Sequence, residues 1–244
     1  MVASERVFYV ICGVLLILGG IVFVWGGSSH PPTDARLGAV GSEEYFRNFV
    51  RHVVEHGHWQ LIHTGILAGP VCWALGGVGA GSMLRAQGEA HFSALGIVAL
   101  AMGATAWAVT FVFDGFVALR YAETIAARPA GDITALLIGF QANQVVVIRL
   151  GLVSWILMGV GMAALGTSGI IAATSVSRAR LVRQITGAAG VVLGAWPTVA
   201  WAIGVFDPGP FTSRWWALTA LLTAAWFVAM GIIVLTQATS KTVR

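Results

Sequence analysis

Long apolar stretches separated by short polar ones set the pattern of this chain. Six of them, at roughly 7–26, 63–84, 92–113, within 145–175, 185–206 and 215–236, carry very few charged residues. Each is close to the ~20 residues that an α-helix needs to cross the hydrocarbon core of a bilayer. The first run is long for a signal-peptide core, and no small-x-small cleavage site clearly follows it, so it reads as a retained helix. The expected fold class is therefore an all-α integral membrane protein, a six-transmembrane-helix bundle forming a single domain over 1–244.

Two connections have patterns of their own. After the first span, Ser42 stands before Glu43 and Glu44, an arrangement that caps a helix and places negative charge at its positive end. Tyr45, Phe46, Phe49, Val50, Val53 and Val54 then recur at helical spacing, which predicts a short amphipathic helix lying on the outer membrane surface. The third and fourth spans look longer than the bilayer. Residues 120–127 keep helical character, Pro129 to Gly131 turns the chain, and Asp132 can cap the return helix, so a helical hairpin is expected to protrude.

Composition explains why lipid must be the solvent. Hydrophobic residues make up 57% of the chain and charged ones 10%, against about 25% charged in an ordinary soluble domain. Too few polar side chains remain to cover a water-facing surface. The formal net charge of +4 does not signal nucleic acid. The basic residues lie mostly in short loops beside apolar spans and form no basic stripe with interleaved aromatics. Arg6, Arg85, the cluster Arg178, Arg180 and Arg183, and Lys241 and Arg244 alternate with connections that mix in acidic residues. By the positive-inside rule this places both termini in the cytoplasm of a plasma (inner) membrane protein, with the main polar loops outside. The paired small residues Gly65/Gly69, Gly77/Gly81 and Gly190/Gly194 suit close helix packing. Cys12 and Cys72 sit in different apolar runs and read as small hydrophobes.

The chemistry concentrates in one place. His52, His56, His58 and His63 are four of the six histidines and fall within a dozen positions. On a continuous helix, His52, Glu55, His56, Trp59 and His63 would share one face, and an i,i+4 pair of imidazoles can reach one metal ion. His63 stands out because it lies inside an apolar span, where an imidazole must find a partner. At the same membrane level the sequence places His30 after the first span, Asp114 at the end of the third, Arg149 in the fourth and Asp207 after the fifth. Ionisable residues inside a membrane are costly and are functional candidates. The metal ligands expected from this reading are His52, His56, His58, His63 and Asp114; His30, His63 and Arg149 are the expected cofactor contacts. Asp114 and Arg149 are also expected to pair across the protruding hairpin.

Histidine with carboxylate suits Cu, Zn or Fe, and two histidines on different helices could instead hold a haem. The leading expectation is thus a metal- or haem-binding membrane protein, potentially redox-linked, with its site on the outer face. One alternative is a non-catalytic subunit of a larger membrane complex, which small loops and abundant tryptophan would suit. Another is a small-solute transporter: Trp73-Ala-Leu-Gly76 echoes Trp201-Ala-Ile-Gly204 in a span of opposite direction, as an inverted repeat would. Several classes are excluded. No CxxC pair, c-type haem attachment, Gly-rich phosphate loop or serine nucleophile elbow occurs, and the loops are too short for a nucleotide site. The single lysine, Lys241, lies in the tail and cannot form a retinal Schiff base within the bundle.

Overall fold

A computed structural model describes residues 2–31, 37–39, 42–128, 133–172, 180–206 and 214–239. Among these residues every regular element is helical: α1 (Ala3–Ser29), α2 (Glu43–Glu55), α3 (Trp59–Arg85), α4 (His91–Val112), a π-helical turn (Phe113–Val117), α5 (Ala118–Ala126), α6 (Thr134–Ala172), α7 (Arg180–Phe206) and α8 (Arg214–Thr239). Six helical stretches, α1, α3, α4 through α5, α6, α7 and α8, are long and apolar enough to cross a membrane. The predicted spans lie within or largely overlap these helices. The Pro129–Asp132 turn, Asp207 and the basic residues Arg178, Lys241 and Arg244 lie outside the described residues.

The helices form a ring in which α1 packs on α3 and α8, α4 on α3 and α6, and α7 on α6 and α8. Its centre is aromatic. Phe23, Trp73, Trp107, Trp155 and Phe227 are all nearly fully buried and touch in series, with centroids 4.8 Å apart for Phe23–Trp73, 4.5 Å for Trp73–Phe227 and 5.2 Å for Trp107–Trp155. The outside of the ring is apolar too: Val98, Val192 and Ile232 are all more than half exposed. Apolar side chains exposed around the whole ring, with no water-facing stripe, fit contact with a lipid bilayer. Gly159 and Gly194 show why small residues line one seam, since a Cβ on either would run into the other's backbone carbonyl. Here α6 and α7 touch backbone to backbone.

Pro70 lies inside α3 and has no N–H to give to the carbonyl of Ile66, one turn earlier. The Trp107 indole on α4 supplies the missing donor, with Nε1 3.1 Å from Ile66 O. The Trp107→Phe variant keeps the ring but leaves that buried carbonyl orphaned. It should lose about 1–3 kcal/mol, read as a lower unfolding temperature in detergent.

Helix α2 forms where Ser42 predicts it, with Ser42 Oγ accepting from Tyr45 N at 3.1 Å. Its apolar face, however, is covered by protein rather than lying on lipid. Tyr45, Phe49, Val50 and Val53 join Ala118, Ala122, Ile125, Ile133, Leu137 and Phe140 of the α5–α6 hairpin in a second small core. The hairpin offers an apolar surface to which α2 returns, and aromatic pairs such as Phe49–Phe140, 5.4 Å between centroids, fill the contact.

At the other end of the ring Glu89 caps α4. Its carboxylate accepts from the backbone N–H groups of His91, Phe92 and Ser93, each at 3.0 Å. Burial would raise this carboxyl, but the bonds from the three backbone N–H groups outweigh it and hold it below its ordinary value of 4.5. A carboxyl depressed in the folded state contributes stability that is complete above its ordinary value and is lost as pH falls through the lower folded one. Wild type should therefore lose thermal stability below about pH 4.5, and Glu89→Gln should be less stable at neutral pH with a flatter acid limb.

Candidate metal centre

Three helices deliver one side chain each to the end of the ring beneath the α2–α5–α6 core. His30 follows the last residue of α1, His63 lies one turn into α3, and Asp114 is in the π-helical turn after α4. His30 Nε2 and His63 Nε2 are 3.2 Å apart, and His63 Nε2 is 3.2 Å from Asp114 Oδ2. The three ligand atoms all lie within 4.8 Å of one another. His63 is fully buried and the Asp114 side chain is 13% exposed.

The outer hydrogen bonds fix which nitrogen carries the proton. His63 Nδ1 lies 2.7 Å from the backbone oxygen of Trp59, and His30 Nδ1 lies 2.8 Å from that of Pro31. A carbonyl oxygen only accepts, so both Nδ1 atoms must be the donors. In the neutral rings both Nε2 atoms then carry lone pairs, and these meet the Asp114 carboxylate. Burial pushes the His30 ring down to about 4, which favours its neutral form. With both rings neutral, three acceptors face one another, an arrangement that a shared cation would satisfy. In a tetrahedral site with metal–ligand bonds of about 2.0–2.1 Å, neighbouring ligand atoms are roughly 3.3 Å apart, close to the 3.2 Å of the His30–His63 and His63–Asp114 pairs. The Nδ1–H to carbonyl bonds are the second-shell contacts that orient metal-binding imidazoles.

The surroundings hold this geometry. The Trp59 ring stacks on His63 with centroids 4.4 Å apart, and its indole Nε1 donates to Asp114 O at 2.9 Å. Asn143 Nδ2 of α6 donates to Phe113 O at 3.3 Å. These two bonds clamp the π-helical turn from neighbouring helices, and the widened turn aims Asp114 inward. Gly115 lets α3 approach, because a Cβ there would stand 2.5 Å from the Cβ of His63.

The structure brings together His30, His63 and Asp114 of the sequence candidates, and leaves the others apart. The helix breaks at His56–His58 between α2 and α3, so the continuous helical face expected for His52, Glu55, His56, Trp59 and His63 does not exist. His52 and His56 stack at 6.2 Å on α2, and His58 is exposed. His52 still lies within electrostatic reach of His30. Arg149 is exposed on α6 and does not pair with Asp114, whose titratable neighbours are His63 and His30. Counting from the hairpin turn placed Arg149 too high; the structure puts Asn143 and Gln144 level with the acid. Sequence reasoning missed Gly115 and the clamp from Asn143. An Asp-Gly pair inside an apolar helix was the available signal.

No protein-family model, no curated protein and no solved structure matches this chain.

Proposed function

We propose that this is a multi-pass plasma-membrane protein that binds a transition-metal ion through His30 Nε2, His63 Nε2 and Asp114 Oδ2, with the site near the outer face and both termini in the cytoplasm. The observation that carries the reading is the convergence of three hydrogen-bond acceptors whose imidazole protons are committed to backbone carbonyls. Two imidazoles and one carboxylate suit Zn, Cu or non-haem Fe. An ion is favoured over haem. Two axial histidines stand about 4 Å apart with a porphyrin between them, whereas these nitrogens are 3.2 Å apart and share a carboxylate.

Elemental analysis of protein purified from metal-supplemented cells tests this, and about one Zn, Cu or Fe per chain is expected. Metal-free protein that also fails to take up each ion in vitro would mean that the triad shares a proton instead. Orientation is tested separately by cysteine labelling of intact cells. A membrane-impermeant reagent should modify Ser42→Cys and spare Ala179→Cys; the reverse pattern would invert the topology.

A further inference from the structure

The polar atoms beside the triad form a set that the three ligands do not use. Asp114 Oδ1, Asn143 Oδ1 and Gln144 Nε2 are buried, and none has a hydrogen-bond partner among the described residues. Asn143 and Gln144 are each 6% exposed. Gln144 lies against the Asp114 carboxylate from α6, yet its amide N–H groups make no bond of full geometry. Buried donors and acceptors left in this state cost about 1–3 kcal/mol each, and such groups are ordinarily satisfied by a bound water or ligand. Both kinds occur here, a donor on Gln144 and acceptors on Asp114 and Asn143, which is what a small polar molecule with its own hydrogen requires.

The coordination count points the same way. Among the described residues the group contains three protein ligands. Structural zinc sites close with four, whereas sites with three protein ligands keep a position for water or substrate, as do two-histidine, one-carboxylate iron sites. The Asp114 side chain is 13% exposed, so this corner of the site is not fully sealed by protein.

We infer that the metal ion in this centre keeps one coordination position for an exchangeable small ligand, water at rest and a small anion or polar molecule in its place, and that Gln144 donates a hydrogen bond to whatever occupies it. This rests on the metal-binding reading of the triad. Binding is ligand exchange: the metal–water bond breaks, a bond to the incoming ligand forms, and nothing is oxidised or reduced.

The test uses the full chain in detergent loaded with Co(II), whose visible bands report coordination, and titrates it with azide. The expected result is a saturable change in those bands. In Gln144→Leu, Co(II) should still bind, but azide affinity should fall about tenfold or more, as loss of a hydrogen bond to a charged ligand predicts. Failure to bind Co(II) in wild type would overturn both the metal reading and this inference. Bound Co(II) with bands indifferent to saturating azide would leave the metal reading standing and show the site to be closed. Equal azide affinity in wild type and Gln144→Leu would overturn the role given to Gln144.

Discussion

Replacing His63 with alanine is expected to abolish metal binding, a larger effect than the roughly 10–100-fold that loss of an outer hydrogen-bond partner costs. His63 Nε2 lies 3.2 Å from both of the other ligand atoms, so it is the shared corner of the triad. Its removal also frees the Trp59 carbonyl and empties a fully buried ring's space, which should lower stability by a few kcal/mol. His30→Ala separates the two consequences. His30 is only partly buried, so its loss should remove the metal at a smaller cost to folding. His52→Ala and His56→Ala, on α2, should keep near-normal metal content. Metal retained in His63→Ala but lost in His52→Ala would move the site onto α2.

The second large effect is expected at Gly115. A methyl group there would stand 2.5 Å from the His63 Cβ and 3.1 Å from its Cγ, and His63 is fully buried with Trp59 stacked against it. The ring cannot swing aside without losing either its Trp59 carbonyl bond or its place opposite His30. Gly115→Ala should therefore cost about 1–3 kcal/mol by overpacking and, beyond that, misplace a ligand. Thermal unfolding of metal-free protein reads the first loss, and metal titration reads the second. Wild-type affinity in a destabilised Gly115→Ala would show that His63 does not need its observed position.

Much of the architecture was legible because lipid imposes it. Spans such as 185–206 and 215–236 must be continuous apolar helices, since no water is present to satisfy open backbone, and a length of about 20 residues then counts them. Ser42 and the acidic pair after it announced α2 through local hydrogen bonding, which acts within one turn. What covers α2 was not legible. An apolar face looks the same against lipid or protein, and only the tertiary position of Ala118, Ile125 and Phe140 decides between them.

The site divides along the same line. His30, His63 and Asp114 were found by depth, because an ionisable group in an apolar run must find a partner. Only the pairing of Asp114 with Arg149 was mistaken, since residue counting along a hairpin assumes regular turns. The π-helical turn at Phe113–Val117 and the break between α2 and α3 shift which groups are level. The density of His52, His56 and His58 drew attention to α2, although sequence crowding says little about convergence across a chain break. Gln144 and Asn143 gained meaning only once their neighbours were known, because an amide near a span end is ordinary until it is seen buried against a carboxylate.

The central claim is that these three side chains are the metal's ligands, and X-ray absorption of the metal-loaded protein addresses it most directly. With Zn the account predicts a first shell of nitrogen and oxygen at about 2.0–2.1 Å, with outer-shell scattering from two imidazoles. A shell of oxygen alone, or Zn retained with an unchanged imidazole shell in both His30→Ala and His63→Ala, would contradict it.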